Sequence, residues 1–188
     1  KLAPSKGYFA SISQEFAGLG GDSKFLKHEV KGSYYYPVTK TVIFSVLGSS
    51  GLVFGLGGEN VRINDRFFLG GDDLRGFRNA GVGPRDTLTD DSLGGNSYYS
   101  GSTELKFPLG LPEEMGVAGA IFTDIGSLWE VDDSGIGVFD ANTPRISAGF
   151  GVLWGSPFGP IRVDIAHALA KENEDQTETF RFSFGTRF

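Results

Sequence analysis

The residues able to do chemistry in this 188-residue chain are few, and their spacing decides what they can do. Paired acids stand at Asp72-Asp73, Asp90-Asp91 and Asp132-Asp133. Such pairs can hold calcium through oxygen, but none has the alternating Asp/Asn spacing of a dedicated loop, so solvated loop charge is expected and no metal site is assigned. Gly57-Gly58 and Gly70-Gly71 lack the Lys-Ser/Thr spacing and the following helix that a phosphate cradle needs, so no nucleotide or other cofactor is expected. His28 and His167 are isolated, and no Ser or Thr sits in a nucleophile elbow, so the reading is of a protein that is not an enzyme. One cation stands apart from these. In Arg66-Phe67-Phe68-Leu69-Gly70-Gly71-Asp72-Asp73-Leu74-Arg75-Gly76-Phe77, Arg75 lies between Leu74 and Gly76 in a stretch whose aromatics can bury and whose glycines can turn tightly.

That stretch belongs to a loop of about forty residues, 55–95, far longer than a mere connection of ~4–6 residues. The elements around it alternate with a period of two. At the C-terminal end Phe180, Phe182, Phe184 and Phe188 share one face, and Arg181, Ser183, Gly185 and Arg187 share the other. A strand of this kind lies between two solvents, either lipid and a lumen or the core and surface of a soluble sandwich. Seven further segments alternate. Tyr8, Ala10, Ile12 and Phe16 oppose Ser11, Ser13 and Glu15, and Leu26, Val30, Tyr34 and Tyr36 oppose Lys27, Glu29 and Lys31. Val42, Phe44, Val46, Leu52 and Phe54 form a third apolar face, with Ile43 and Leu47 making the opposite side less polar than the others. Thr103, Leu105 and Phe107 oppose Ser102, Glu104 and Lys106, and Val117, Ile121 and Ile125 oppose Ala118, Phe122 and Asp124. The sixth sets Ile146, Ala148, Phe150, Val152 and Trp154 against Arg145, Ser147 and two glycines; the seventh sets Ile161, Val163 and Ile165 against Arg162 and Asp164.

Connection lengths separate lipid from soluble core. Short turns near 38–40, 109–115 and 156–160 alternate with long glycine- and acid-rich loops at 18–24, 55–95, 127–143 and 170–179. Outer-membrane barrels keep long loops outside and short turns in the periplasm, whereas a sandwich has no reason to segregate them. The expected fold is therefore all-β: an antiparallel transmembrane β-barrel segment of eight strands over residues 1–188, in the bacterial outer membrane, with loop 55–95 on the extracellular side. No apolar run approaches the ~20 residues of a spanning helix. The net charge of −6 and the lack of a Lys/Arg cluster argue against nucleic acid as a partner. The absence of cysteine excludes a disulfide scaffold. The start at Lys1-Leu2-Ala3-Pro4 without a signal peptide is expected of a mature chain or an excised fragment.

Phe68-Leu69-Gly70-Gly71 followed by Leu74-Arg75-Gly76-Phe77 resembles the loop signature of the outer-membrane protein assembly and two-partner-secretion superfamily. Phe122-Thr123-Asp124-Ile125-Gly126-Ser127-Leu128-Trp129 and the hairpin from Arg145 through Ser156-Pro157-Phe158-Gly159-Pro160-Ile161 resemble later strands of that family, the hairpin favouring its BamA-like insertases. The resemblance implies the C-terminal half of a sixteen-stranded barrel, without the periplasmic docking repeats and the first eight strands of relatives, hence a fragment. It implies a non-enzymatic role in folding and inserting β-barrel proteins, with membrane lipid and lipopolysaccharide around the barrel and, in the full-length protein, nascent outer-membrane proteins and assembly-complex lipoproteins as partners. The alternative is a complete small eight-stranded barrel with a structural or adhesion role. The resemblance further implies that Arg75 turns inward onto Glu104 and Asp124, acids whose strand parity faces the lumen. The terminal strand, through Phe180, Phe182, Phe184 and Phe188, would supply one side of a weakly paired seam.

Unpaired backbone groups in hydrocarbon cost several kcal/mol each, so an open edge is disfavoured. The expected solution is closure of Phe180–Phe188 onto Tyr8–Phe16 within one chain, with a two-chain, sixteen-strand barrel second. Closure carries a geometric conflict, because an eight-stranded lumen is only wide enough for side chains and would leave Arg75 outside.

Overall fold

The computed structural model describes residues 4–18, 20, 23–132, 135, 137–157 and 159–185, Glu113 by its backbone alone. Among these residues the strands are β1 (Gly7–Ala17), β2 (Phe25–Pro37), β3 (Ile43–Gly55), β4 (Arg85–Asp86), β5 (Ser97–Pro108), β6 (Val117–Trp129), β7 (Val138–Phe139), β8 (Arg145–Ser156), β9 (Gly159–Ala170) and β10 (Phe180–Phe184). Eight of them form one sheet in the order β1-β2-β3-β5-β6-β8-β9-β10, each antiparallel to its neighbours. Strands β1 to β9 of this sheet run 11 to 13 residues. At about 3.4 Å per residue they reach roughly 40 Å, enough to cross a ~30 Å hydrocarbon core at a tilt.

Period-2 alternation gives the sheet two different faces. Tyr8, Ile12, Phe16, Val30, Tyr34, Ile121, Phe150, Ile165, Phe180, Phe182 and Phe184 stand exposed on the outer face, where no protein covers them. Ser45, Tyr98, Phe122, Asp124, Ser147, Asp164 and Ala166 are buried on the inner face. The loop covers Tyr98, Phe122, Asp124, Ser147 and Ala166, and Arg162 lies against Asp164. The core consists of Val61, Phe67, Leu69, Leu74, Phe77 and Val82 from the loop, packed on Phe25, Val53, Tyr98 and Leu128 from the sheet. The sheet is thus a half-barrel wall lined by its own loop.

Two features differ from the sequence expectation. The outermost strands β1 and β10 are opposite ends of the sheet and do not pair among the described residues, so the closure of Phe180–Phe188 onto Tyr8–Phe16 does not form; Phe188 itself lies outside the described residues. The reason is volume: eight strands curled shut would have no room for a loop that here fills the concave face. The second feature is a small two-stranded ladder, β4 with β7, which pairs Arg85 with Phe139 and ties the long loop to the β6–β8 connection.

Candidate functional site

Registers place the inner-face residues of neighbouring strands side by side. Ser102 of β5 pairs with Asp124 of β6, Asp124 with Ser147 of β8, and Glu104 with Phe122. These positions form a polar belt across three strands with one aromatic ring in it, and the loop lowers Arg75 onto that belt. Its Nε and Nη2 donate to the two carboxylate oxygens of Asp124 at 2.7 and 2.6 Å. Nη1 donates to Glu104 at 2.8 Å, Nη2 also to Ser102 Oγ at 2.8 Å, and the backbone N–H of Arg75 to Asp124 at 3.0 Å. The guanidinium carbon sits 3.4 Å from the centre of the Phe122 ring, and Ser147 Oγ donates to the Arg75 carbonyl. Only a planar fork makes two in-line bonds to one carboxylate and a third to another. Burial works against the cation's charge, but the hydrogen bonds and charge of Asp124, with help from Glu104, hold the Arg75 pKa above its ordinary value.

The flanking motif residues make this geometry reachable. Leu74 and Phe77 are fully buried and point into the core on either side of the arginine. Gly76 has φ +93°, and a Cβ there would meet Ser147 Cβ at 3.0 Å, so the chain turns where the loop presses on β8. Gly71, at φ +66°, accepts the close approach of the Asn79 side chain, and its N–H donates to the Phe77 carbonyl at 2.9 Å; Gly70 precedes it with its carbonyl accepting from Asp73 N–H.

Sequence reasoning assigned Arg162 and Asp164 to the inner face but gave them no part in the site. The structure puts both in it. Arg162 donates from Nε to both oxygens of Asp164 at 2.8 and 2.7 Å, and from Nη1 and Nη2 to Glu104 at 3.1 and 2.7 Å. Glu104 is therefore shared by two guanidiniums. The signal available in the sequence is the Arg-x-Asp spacing on one strand face, which marks two like-facing groups and says nothing of a partner three strands away. The acid pairs are dispersed: Asp72 faces Arg181 and Ser183, Asp90 faces Arg85 and Gln176, and Asp132 accepts from Asn96 and the Val61 N–H, while Asp133 lies outside the described residues. Among the described residues no group of three His, Asp or Glu side chains could hold a metal ion. On β10, Phe180, Phe182 and Phe184 point outward and remain exposed. Such a site is suited to holding a loop against a wall.

The whole chain, residues 1–188, matches the model of the Omp85 superfamily domain. It is 39% identical over 188 residues to the outer membrane protein assembly factor BamA of Neorickettsia risticii, covering 100% of this chain and 25% of that protein. It is 29% identical over 213 residues to BamA of Neisseria meningitidis serogroup B, covering 100% of this chain and 27% of that protein. Among solved structures, the crystal structure of Haemophilus ducreyi BamA lacking POTRA domains 1-3 superposes with a TM-score of 0.83 at 25% identity, over 95% of this chain and 38% of that one. The chain thus spans about a quarter of the length of the curated relatives it matches. Its eight-stranded wall is an outer-membrane β-barrel structure, and the chain belongs to the Omp85 superfamily.

Proposed function

We propose that this chain is the C-terminal transmembrane segment of an assembly factor that folds and inserts β-barrel proteins into the outer membrane. The observation that carries the reading is the eight-stranded wall of an Omp85 chain, in which β10 is the last described strand of the sheet and carries its phenylalanines on the exposed outer face. An edge with unpaired N–H and C=O groups can template an incoming strand, the same property that makes edges an aggregation hazard elsewhere. In this reading Arg75, held by Glu104 and Asp124, keeps loop 55–95 on the inner wall on the extracellular side, and no covalent chemistry is involved. The outer face contacts membrane lipid and lipopolysaccharide, and the partners are nascent outer-membrane proteins together with the assembly-complex lipoproteins of the full-length protein. A self-contained eight-stranded barrel is disfavoured by the lack of β1–β10 pairing among the described residues.

These 188 residues contain no cysteine, so Ser183→Cys places a single thiol in this segment. Full-length protein carrying Ser183→Cys, reconstituted in liposomes, is expected to accelerate the folding of a client porin and to form a disulfide with a cysteine in the client's last strand during insertion. Accelerated folding with no crosslink to any residue of β10 would overturn strand templating at this edge.

A further inference from the structure

The last strand is tied to the loop as well as to the sheet. Among the described residues, β10 pairs with β9 only from Phe180 opposite Ile165 to Phe184 opposite Ile161, the shortest ladder in the sheet. Immediately before it, the chain runs antiparallel to the arginine motif. Glu178 N–H donates to the Gly76 carbonyl at 3.0 Å, Arg78 N–H to the Gln176 carbonyl at 2.9 Å, Gln176 N–H to the Gly81 carbonyl at 2.9 Å, and Phe77 bridges to Thr177. On the inner face of β10 itself, Ser183 Oγ donates to Asp72 at 3.2 Å and Arg181 Nη1 lies 3.7 Å from the same carboxylate, while Arg181 Nη2 holds Glu178. Asp72 follows the turn glycines of the motif directly. One loop therefore grips the strand at two places: by backbone ahead of Phe180, and by side chains at Arg181 and Ser183.

We propose that Asp72 and Arg181 are positioning residues that fasten the terminal strand to the loop, so that the seating of Arg75 sets how readily the β10 edge opens. The influence of Arg75 passes through Gly76, whose carbonyl accepts from Glu178 N–H, and through residues 73–74 to Asp72. Spatial continuity of this kind becomes coupling only if a change at one end moves the equilibrium at the other. The use of the coupling in insertion rests on the templating function proposed above, but the tether can be measured without it.

The experiment is amide hydrogen exchange of full-length protein in lipid nanodiscs, following residues 176–184. Asp72→Ala is expected to raise exchange there by about two- to fivefold, in keeping with a partly exposed ion pair, while β5 and β6 stay protected. The double variant Asp72→Ala with Arg181→Ala is expected to raise exchange by less than the product of the two single effects, which two independent packing roles would not do. Arg75→Lys, which loosens the loop without touching β10, is expected to raise exchange of 176–184 at least as much. Unchanged exchange in Asp72→Ala, fully multiplicative effects in the double variant, or a loosened loop in Arg75→Lys with 176–184 unaffected would each overturn the proposal. Should Arg75→Lys fail to fold, Glu104→Gln loosens the same seat from the wall side, and unchanged exchange of 176–184 in that variant would overturn the coupling. Exchange coupling without any insertase activity would refute the function and leave the tether standing.

Discussion

Removing Arg75 should orphan one acid much more than the other. In Arg75→Ala, Glu104 keeps its two bonds from Arg162, at 3.1 and 2.7 Å. Asp124, only 1% exposed, keeps just the backbone N–H at position 75 and the cross-strand neighbourhood of Ser102 and Ser147. Leaving one buried partner of such a pair uncompensated typically costs about 3–5 kcal/mol, and loss of the cation over Phe122 adds about 0.5–2 kcal/mol. Asp124→Ala leaves the guanidinium with Glu104 and Ser102, so its cost should be the smaller of the two. Because the double variant removes both orphans at once, the sum of the single effects should exceed the double by about 2–3 kcal/mol. Urea titration of protein folded into phospholipid vesicles, read by tryptophan fluorescence and by heat-modifiable gel migration, supplies the four free energies. Additivity within about 0.3–0.5 kcal/mol would show that the two residues do not interact and would refute the reasoning. Glu104→Gln should cost less than Asp124→Asn, since only the second removes the charge that holds Arg75 from both its Nε and Nη2.

Gly76→Ala should cost about 1–3 kcal/mol from its left-handed backbone and the 3.0 Å approach to Ser147, seen as a lower urea midpoint with an unchanged slope. Asp175→Ala should strand the fully buried Arg145, which otherwise donates to Asp175 at 2.9 and 3.2 Å, and open the 171–179 loop; limited trypsin digestion should then cut after Lys171 well before the sheet unfolds. The chain should fold only with detergent or lipid, since its outer face leaves Tyr8, Ile12, Phe180, Phe182 and Phe184 bare; a water-soluble monomer with a full β signal in circular dichroism would contradict that. Liposomes holding the chain by itself should fold a client porin no faster than empty liposomes, because β1 there lacks the neighbour that would complete the wall.

The wall was legible because lipid and lumen impose opposite demands on successive residues, so Tyr8, Ala10 and Ile12 or Ile161, Val163 and Ile165 announce their face without reference to any other strand. Where that contrast fades, so does the reading. Tyr98 and Tyr99 extend β5 back to Ser97, yet two adjacent tyrosines carry no alternation, and the strand looked as if it began at Ser102. The two-residue strands β4 and β7 are too short to have a period at all. Parity placed Glu104 and Asp124 on the inner face, while their assignment to Arg75 came from the family resemblance. The part of Arg162 could not be read, because Glu104 lies 58 residues away and is chosen by the curvature of the sheet. Closure failed for a related reason: a strand pattern reports which face is wet and not whether the wet side is already occupied.

The chain is synthesised in an order that makes its loop wait. Asp124 comes 49 residues after Arg75, Ser147 comes 72 after it, and the 176–178 segment that grips the motif comes nearly last. A wall in which only β1 to β3 have formed therefore leaves the Arg75 guanidinium without Asp124 and Leu74 and Phe77 without Leu128. Such distant closures are entropically costly and slow, so the barrier to folding lies late, when β6 and β8 supply the receiving wall. Until those strands have paired, the motif carries apolar side chains beside a positive charge with no receiving surface, so the loop closes onto the wall after the wall is built.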